Sequence, residues 1–230
     1  MNFKAEVLEK KRLTDKITEL TLKLVEPRDI DFKAGQFVQL LVGEKAKREY
    51  SIITAPQHNG SLSFCINISP MGPGSKYVQS LKIGDAVQFE GPLGMFYVKD
   101  YLKDQLFIAT GSGIAPFKSI IADLAERKFD KEITLLFGIR NETEAFYFDY
   151  FEELARQHPN FKFIPCLSEP SPAWQGFKGR VTDYLNQNFD AKFQNSVVYI
   201  CGGPPVIKDV RALLMTKGLP SSAIRLEVFT

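Results

Sequence analysis

The pattern of residues 105–229 constrains the fold of this chain most, because apolar runs and helical patterns alternate there without a break. The apolar runs have the length of buried strands and lie at 105–110, 133–139, 161–167, 196–202 and 224–229. The helical patterns between them lie at 115–127, 148–157, 179–187 and 204–218. Uniformly apolar strands that alternate with helices are typical of a parallel sheet covered on both faces. This half therefore predicts a doubly wound parallel sheet.

The first half of the chain has a different pattern, in which short strands are separated by turns. Strand patterns lie at 16–25, 36–42, 48–54, 61–68 and 86–91, with one short helix near 75–81. About six closely spaced strands predict a closed, six-stranded antiparallel β-barrel. Asn59-Gly60, between two strand patterns, predicts a hairpin. The pattern changes within 99–104, which predicts a β-barrel domain at 1–102 and an α/β domain at 103–230.

Composition and charge exclude several classes of function. The 29 basic and 27 acidic residues nearly balance, so the chain has no signature of nucleic-acid or membrane-surface binding. No run approaches the roughly 18 apolar residues that span a bilayer, and the charged N-terminus does not resemble a signal peptide. Cys65, Cys166 and Cys201 are far apart, which argues against a disulfide framework and against metal or iron–sulfur ligation. A cytoplasmic location is expected.

Two glycine turns in the second half follow strands and open helices. In ATGSGIAPF (109–117), Gly111 and Gly113 allow a ligand close to the backbone, and Pro116 suits a first helical turn. ICGGPPVIKDV (200–210) repeats the arrangement, with Cys201 directly before its turn. Strand carboxyl ends are where open α/β sheets bind ligands, and the N–H groups of a helix start attract phosphate. Taken alone, the first motif is explained equally well by an ordinary tight turn, and a lone cysteine is more commonly a small core residue.

Two segments of the first half also suit a ligand that carries phosphates. In REYSIIT (48–54), Arg48 and Tyr50 share a strand face, which would place a cation beside an aromatic ring. For this triplet alone, a solvated strand face is the commoner interpretation. In PMGPGSKYVQSL (70–81), Ser75 is predicted as the N-cap of the short helix, which gives a second anion site.

In their order along the chain, these segments resemble the motifs of the ferredoxin–NADP⁺ reductase superfamily of flavoenzymes. The family's RxYS motif is matched by Arg48-Glu49-Tyr50-Ser51-Ile52-Ile53-Thr54, and its GxxS flavin-phosphate segment by Gly72-Pro73-Gly74-Ser75. Its GPxGxF segment is matched at 91–96, and its nicotinamide-nucleotide segment G(T/S)GxAP at 111–116. Its CGxPxM segment is matched at 201–206, with Val206 in place of Met, and the family's terminal Glu-x-aromatic at 227–230.

The resemblance implies a role for individual residues. It implies that Tyr50 stacks on the flavin, that Ser51 hydrogen-bonds near flavin N5, and that Arg48 and Ser75 bind the flavin phosphates. Cys201 and Glu227 would line the nicotinamide side, and Phe229 would cover the other flavin face. Ser51, Cys201 and Glu227 are the predicted catalytic residues, with a proton role considered for Glu227. The predicted cofactor-binding residues are Arg48, Tyr50, Ser51, Ile52, Thr54, Gly74, Ser75, Thr110, Gly111, Gly113, Pro116, Arg140, Glu169, Gly202, Pro204 and Phe229.

The resemblance further implies a flavin-dependent oxidoreductase that takes a hydride from NAD(P)H and passes electrons to a one-electron acceptor. The expected cofactor is FAD, with FMN as the alternative. The expected acceptor is a ferredoxin, a flavodoxin or an oxygenase, and it is expected to be a separate molecule because this sequence has no four-cysteine iron–sulfur segment. The alternatives are a reductase of free flavin or ferric chelates, an electron-transfer subunit of a larger complex, and a flavin-free binding module.

The choice between NADH and NADPH depends on the segment after the strand at 161–167. NADP-type relatives commonly carry a Ser-Arg pair there, whereas this chain has Ser168-Glu169-Pro170. A carboxylate at that place repels the 2′-phosphate of NADPH and can accept hydrogen bonds from the ribose hydroxyls of NADH. Arg140 follows the neighbouring strand and would partly neutralise a phosphate. The balance predicts a preference for NADH.

Overall fold

A computed structural model describes residues 1–43, 46–69 and 71–229, without the side chains of Ala191 and Lys192. Its contacts divide the chain into two compact units, the first formed by Met1–Val98 with Ala115–Arg127 and the second by Lys99–Ile114 with Lys128–Thr230. These units are defined by contacts between residues and not by the sequence limits of folding domains, and they assign the segment Ala115–Arg127 to the first unit. The domain limits 1–102 and 103–230 therefore stay a prediction.

The first unit contains a six-stranded antiparallel sheet in the order β4-β3-β6-β1-β2-β5. Its strands are β1 (Asn2–Arg12), β2 (Ile17–Glu26), β3 (Phe37–Leu41), β4 (Lys47–Ser51), β5 (Ser61–Asn67) and β6 (Ala86–Leu93). Beyond β4, Ile52 forms a bridge with Phe64, and the Ile53 N–H donates to the Ser63 carbonyl at 2.9 Å. These contacts join the two edges of the sheet and close it into the predicted barrel.

The barrel interior follows from the alternation of apolar residues along its strands. In β1, Phe3, Ala5 and Val7 are buried while the residues between them are exposed. Leu20 and Leu22 of β2 belong to the same core cluster, and both are fully buried. A strand whose side chains alternate in this way buries one face and leaves the other for solvent or a covering element.

The tight hairpin turn predicted at Asn59-Gly60 is not formed. The flanking patterns 48–54 and 61–68 meet in antiparallel fashion at the Ile52–Phe64 bridge, but β4 pairs mainly with β3, β5 pairs with β2, and a loop longer than two residues joins the patterns. A two-residue turn of this type requires positive φ at both positions, and Gly60 is not among the glycines with positive φ. The Gly60 carbonyl instead accepts from the Leu24 N–H at 3.1 Å, which ties this loop to β2.

Two helices pack on the barrel. Helix α1 (Pro73–Ser80) begins after Gly72 at its N-cap, so the prediction that Ser75 is the N-cap is wrong, and Ser75 lies inside the first turn. Val78 of α1 is fully buried in the barrel core. Helix α2 (Ala115–Glu126) is fixed by the Ser119 hydroxyl, which donates to the Thr54 carbonyl at 2.6 Å.

The second unit contains a six-stranded parallel sheet in the order β10-β9-β8-β7-β11-β12. Its strands are β7 (Gln105–Thr110), β8 (Ile133–Ile139), β9 (Phe161–Leu167), β10 (Phe177–Lys178), β11 (Val197–Gly202) and β12 (Ile224–Val228). Its α-helices are α3 (Phe148–Gln157), α4 (Val181–Asn188), α5 (Ala191–Gln194) and α6 (Pro204–Thr216). Short 3₁₀ helices lie at Gly111–Ile114, Glu142–Glu144 and Ser221–Ala223.

Helices cover both faces of this sheet, which confirms the doubly wound architecture. On one face, the Phe151 ring of α3 packs 5.3 Å from the Phe163 ring of β9. On the other face, Cys166 of β9 lies in a buried cluster with Leu185 of α4 and Val210 of α6. Strand order reverses its direction between β7 and β11, which makes the carboxyl ends of these two strands the topological switch point.

Cys65, Cys166 and Cys201 lie in β5, β9 and β11, and each is buried. Among the helices of residues 1–43, 46–69 and 71–229, none is both long and apolar enough to cross a lipid bilayer.

Candidate functional site

Strand β4 and the first turn of α1 bring Arg48, Tyr50 and Gly74 together. The strand register pairs Arg48 with Leu40 and Tyr50 with Val38, so both side chains lie on the same face. Tyr50 packs partly against the barrel core, whereas Arg48 is exposed. A Cβ atom added at Gly74 would lie 2.4 Å from the Tyr50 hydroxyl and 3.0 Å from Arg48 Cγ. Only glycine therefore lets the helix approach these two side chains so closely.

The electrostatics of this group follow from its partial burial. Burial raises the pKa of the Tyr50 phenol, and the nearby Arg48 charge opposes part of that rise. Tyr50 is therefore a neutral phenol at physiological pH. A neutral ring beside a guanidinium suits an aromatic ligand that carries an anionic group.

The N-terminus of α1 has unpaired donors that suit a phosphate. Its N-cap Gly72 provides no side-chain hydrogen bond, and Pro73 occupies the first turn. The Ser75 side chain is 7% exposed, and its hydroxyl donates to the Asn67 carbonyl over a long 3.5 Å contact. The first N–H groups of a helix have no intrahelical acceptor, so an uncapped start can accept an anion.

Ser51, Ile52 and Thr54 follow Tyr50 and enter the barrel wall. Ser51 is 4% exposed and Ile52 is fully buried, and the Ile52 N–H donates to the Gln36 carbonyl at 3.0 Å. The Thr54 hydroxyl oxygen accepts from the Ser63 N–H at 2.7 Å. The roles of these three residues toward a flavin stay predictions.

In the second unit, the carboxyl ends of β7 and β11 meet through small residues. A Cβ atom at Gly113 would lie 2.4 Å from the Cys201 carbonyl oxygen and 2.9 Å from the Gly202 nitrogen. A Cβ atom at Gly202 would lie 2.5 Å from the Thr110 hydroxyl oxygen. The structure thus brings Thr110, Gly113 and Gly202 together at the switch point of the sheet, where ligands of open α/β folds bind.

Gly111, Pro116 and Pro204 complete the two turns. Gly111 has φ of +52°, in the region that favours glycine, and opens the 3₁₀ turn after β7. Pro116 is the second residue of α2, and Pro204 is the first residue of α6. Gly203, the N-cap of α6, makes no side-chain capping bond, and because Pro204 and Pro205 have no N–H, this helix start can offer an anion only the amides of Gly203 and Val206.

Cys201 and Glu227 are paired residues of the neighbouring strands β11 and β12. The Cys201 side chain is fully buried, and burial raises the pKa of its thiol well above the usual range, with the Glu227 charge adding to the rise. Cys201 is therefore a neutral thiol at physiological pH and not a nucleophilic thiolate. The Phe229 N–H donates to the Gly202 carbonyl at 3.0 Å, which fixes the end of the chain next to the β11 turn. Thr230, the last residue of the C-terminal motif, lies outside the described residues.

Arg140 and Glu169 lie next to each other at the ends of β8 and β9. The Arg140 Nε atom is 4.0 Å from Glu169 Oε1, and the Glu169 N–H donates to the Arg140 carbonyl at 2.8 Å. Both side chains are mostly exposed, at 62% and 69%. Arg140 and Glu169, whose charges act in opposite directions on a 2′-phosphate, therefore form one exposed ion pair.

Comparison with known proteins matches both units to described families. Residues 4–97 match the oxidoreductase FAD-binding domain, and residues 107–212 match the oxidoreductase NAD-binding domain. The chain is 30% identical over 229 residues to the toluate 1,2-dioxygenase electron transfer component of Pseudomonas putida, which covers 99% of this chain and 67% of the relative. The chain belongs to the ferredoxin–NADP⁺ reductase superfamily.

Two further comparisons agree with membership of the ferredoxin–NADP⁺ reductase superfamily. The reductase component of phenol 2-monooxygenase from Pseudomonas sp. (strain CF600) is 39% identical over 222 residues, with 94% of this chain and 62% of the relative covered. The crystal structure of the Amycolatopsis cytochrome P450 reductase GcoB superposes with a TM-score of 0.89 at 27% identity, covering 100% of this chain and 70% of that chain. The chain thus spans roughly two thirds of the length of these relatives.

The residues present fit the two cofactors of the ferredoxin–NADP⁺ reductase superfamily, FAD and a nicotinamide nucleotide. Within the FAD-binding match, Gly74 lets α1 approach Tyr50 and Arg48 closely, and α1 begins without a side-chain cap. Within the NAD-binding match, Gly113 and Gly202 let the ends of β7 and β11 pack closely at the switch point, where open α/β sheets bind dinucleotides. When bound, these cofactors supply the redox chemistry, and the protein supplies binding and orientation.

Sequence reasoning missed a contact between the loops after β8 and β9. The Glu142 carboxylate accepts from both the N–H and the hydroxyl of Ser171, with the hydroxyl 2.7 Å from Glu142 Oε1. The hydrogen bond from the Ser171 side chain is the main cause that lowers the pKa of Glu142 below its usual value. The two residues are 29 positions apart, and neither lies in a spaced motif, so no local signal in the sequence indicates the contact.

Proposed function

We propose that this chain is a flavin-dependent oxidoreductase that accepts a hydride from NADH and passes electrons to a separate one-electron acceptor. The observation that carries the proposal is the pair of glycine-lined turns, one in each unit. Gly74 lies against Tyr50 in the FAD-binding match, and Gly113 lies against β11 in the NAD-binding match. One such glycine at the uncapped start of α1 and another in the turn after β7 suit the phosphates of two different nucleotides.

In this proposal the first unit holds the flavin. Arg48 neutralises a flavin phosphate, the N–H groups of Gly74 and Ser75 donate to it, and the Tyr50 ring packs on the flavin. Support comes from the approach of Gly74 to both side chains and from the uncapped N-terminus of α1. Ile52 and Thr54 form the backbone wall beside it, and Ser51 donates a hydrogen bond at the reacting edge of the flavin.

The second unit holds the nicotinamide nucleotide in the same proposal. Thr110, Gly111, Gly113, Gly202 and Pro204 form the pyrophosphate turns, and the predicted Pro116 follows the first of these turns in the chain, at the start of α2. Cys201 and Glu227 orient the nicotinamide, which agrees with a thiol whose raised pKa keeps it neutral. Phe229 directly follows the strand that holds Glu227 and covers the other face of the flavin. Because these residues orient and do not react, their contribution is alignment of the two reacting centres.

The acceptor is proposed to be a ferredoxin, a flavodoxin or the oxygenase component of a multicomponent system. Support comes from relatives whose names describe a reductase component of a monooxygenase and an electron transfer component of a dioxygenase. The same names favour a second candidate, in which the chain is an electron-transfer subunit of a larger complex. We also propose a cytoplasmic location, which three cysteines buried in three separate strands support.

The preference for NADH is proposed from the charge at the ends of β8 and β9. Glu169 would repel a 2′-phosphate and accept hydrogen bonds from free ribose hydroxyls. The nearby Arg140 cannot serve as an unopposed phosphate ligand, because its guanidinium lies 4.0 Å from the Glu169 carboxylate.

Cofactor extraction from the purified chain tests the proposal. We expect a yellow protein that releases FAD on denaturation and loses its flavin absorbance on titration with NADH. Tyr50→Ala and Arg48→Ala should purify with less flavin, because each loses a contact worth about 1–3 kcal/mol. A colourless protein that does not bind added FAD would contradict the proposal. Full flavin content in both variants would remove these two residues from the site.

The same protein distinguishes the candidate functions. Turnover of NADH with ferricyanide by the isolated chain agrees with an independent reductase. Reduction of the flavin by NADH without turnover until an oxygenase component is added would favour the subunit of a larger complex.

A further inference from the structure

The loops after β8 and β9 are cross-linked at two levels. The first level is backbone pairing at the strand ends, where the Ser168 N–H donates to the Ile139 carbonyl at 3.2 Å and the Glu169 N–H donates to the Arg140 carbonyl at 2.8 Å. The second level lies two residues further along both loops, where Glu142 binds Ser171. Glu169 is therefore held on both sides, by the sheet before it and by Glu142 after it.

The Glu142 carboxylate uses both of its oxygens in this contact. The Ser171 N–H lies 3.0 Å from Oε1 and 3.2 Å from Oε2, and the Ser171 hydroxyl lies 2.7 Å from Oε1. Hydrogen bonds to a charged acceptor are about twice as strong as those between neutral groups. The contact can therefore order the loop around Ser171, which lies beyond the last backbone pairing of β9 with β8.

The acceptor itself is held by its own turn. Asn141 caps the short 3₁₀ helix Glu142–Glu144 by accepting from the Thr143 N–H at 3.2 Å and from the Thr143 hydroxyl at 2.7 Å. The Arg140 N–H donates to Glu144 at 3.4 Å, which closes the same turn. Glu142 therefore lies in an ordered turn. Its hydrogen bonds to Ser171 restrict the motion of the loop after β9 as well.

From this arrangement we propose that Glu142 is a positioning residue that determines nucleotide specificity, because it holds the Glu169 segment in the place that rejects a 2′-phosphate. The inference rests on the proposed preference for NADH. Glu142 acts through Ser171 and does not itself touch the nucleotide. Without Glu142, the segment 168–171 keeps its pairing at the strand end and the turn bond from the Trp174 N–H to the Ser171 carbonyl, but it loses its side-chain link to the loop after β8, and Glu169 can turn away from the incoming phosphate. Preorganisation of this kind changes affinity without adding a contact to the ligand.

Two variants separate the effect of the hydrogen bonds of Glu142 from the effect of its negative charge. Glu142→Ala removes both the charge and the acceptor, whereas Glu142→Gln removes the charge but keeps one carbonyl oxygen that can accept from Ser171. Glu152→Ala is the charge-matched control, because Glu152 is an exposed residue of α3 in the same unit. Ser171→Ala removes the hydroxyl donor and leaves the N–H donor.

The experiment measures dissociation constants of NAD⁺ and NADP⁺ by calorimetry and kcat/KM for NADH and NADPH with ferricyanide, each on the FAD-loaded chain. We expect Glu142→Ala to reduce the preference for the unphosphorylated nucleotide by at least about 5-fold, the lower end of typical coupling between sites. Glu142→Gln should retain most of the preference, Ser171→Ala should be intermediate, and Glu152→Ala should match the parent chain. The change should lie in KM with kcat unaltered, because the loop affects binding only.

Hydrogen exchange gives a readout that is independent of turnover. The amide of Ser171 should exchange faster in Glu142→Ala than in the parent chain, and the Glu142→Gln variant should lie between them. An unchanged ratio of NAD⁺ to NADP⁺ affinity in Glu142→Ala would overturn the inference. An equal loss of nucleotide preference in the alanine and glutamine variants that disappears at high salt would also overturn it, because that result would show that only the negative charge of Glu142 affects the preference.

Failure of the inference can be told apart from failure of the proposed function. A parent chain that prefers NADPH would contradict the proposed preference, and the inference would fall with it. A parent chain that prefers NADH, combined with a Glu142→Ala variant that keeps the preference, would contradict the inference alone.

Discussion

The Arg140 guanidinium and the Glu169 carboxylate form an exposed ion pair across the ends of two adjacent parallel strands, with Nε 4.0 Å from Oε1. Exposed pairs contribute little to stability, because solvent and salt screen them. This pair is therefore of more interest for the charge that an incoming ligand meets. An anion that approaches Arg140 meets the Glu169 carboxylate as well.

Replacing Glu169 by arginine should reverse the charge at this place. We expect Glu169→Arg to shift the ratio of kcat/KM for NADPH over NADH upward by about 10-fold or more, because two cations would then face the 2′-phosphate. The measurement uses an artificial acceptor at low salt, where charge effects are least screened. Glu169→Gln should give a smaller shift in the same direction. A Glu169→Arg variant with the ratio of the parent chain would show that Glu169 does not face the phosphate.

Adding one methyl group at Gly74 should weaken flavin binding. The new Cβ atom would lie 2.4 Å from the Tyr50 hydroxyl, so Tyr50 or the helix must move. We expect Gly74→Ala to raise the dissociation constant of FAD by about 10-fold, in line with the cost of overpacking. Fluorescence titration of the apoprotein with FAD measures this.

Gly72→Ala is the matched control for Gly74→Ala, since a Cβ atom there meets nothing within 4 Å and the φ angle of −72° suits alanine. Equal FAD affinity in the two variants would show that the close approach of Gly74 has no part in flavin binding.

Ser51→Ala and Glu227→Gln should slow reduction of the flavin more than they destabilise the fold. Both substitutions are close in size to the native residues, and each removes a group that is proposed to align the reactants. We expect reduction by NADH to slow by about 10-fold or more in each variant, below the full effect of a proton-transfer residue. Stopped-flow absorbance gives the rate, and thermal unfolding checks that the fold is kept. Parent-like rates in both variants would exclude these residues from the reacting centre.

The Cys166 thiol should make stability depend on alkaline pH. Burial, together with the nearby Asp183 charge, raises its pKa from 9.0 to about 12. Because the folded pKa is the higher one, the contribution of this thiol to stability is complete below pH 9 and is lost as the pH rises toward 12. Replacing it by alanine should reduce the alkaline slope of the free energy of unfolding by up to about 1.4 kcal/mol per pH unit.

Urea unfolding at several pH values measures this slope. The parent chain and Cys166→Ala should have parallel curves between pH 6 and 8, because this range lies below the ordinary thiol pKa of 9.0 and the thiol stays largely protonated in both the folded and the unfolded chain. Parallel curves up to pH 11 would contradict a buried, protonated Cys166.

The sequence predicted the parallel sheet well because its strands are buried on both faces. The runs 105–110 and 133–139 coincide with β7 and β8, since apart from Gln105 the residues of these strands are apolar or small and the strands are flanked by turns. Prediction was weaker in the barrel, where pairing depends on distant partners. Asn59-Gly60 has the composition of a hairpin turn, but β5 pairs with β2 instead. A local pattern does not contain that information.

Part of the candidate site was predictable from local motifs, and part of it was not. Motifs with short spacing identified Arg48, Tyr50 and Gly74, and the structure brings these three together. The contact between Glu142 and Ser171 joins two loops that are far apart in sequence, and it became visible only when the ends of β8 and β9 were side by side. Residues that act on a ligand repeat in motifs, whereas residues that hold a loop depend on the particular partner.

The end of α1 opposite its uncapped start is held by Lys10 of β1. The Lys10 ammonium donates to the carbonyls of Val78, Gln79 and Leu81, and the last of these is 71 residues away in the chain. Such a contact has a high contact order, so its loop-closure entropy must be overcome before α1 can dock. We therefore expect α1, which is proposed to bind the flavin phosphates, to dock after the N-terminal strand has joined the barrel, so that FAD binds late in folding and stabilises the completed barrel rather than nucleating it.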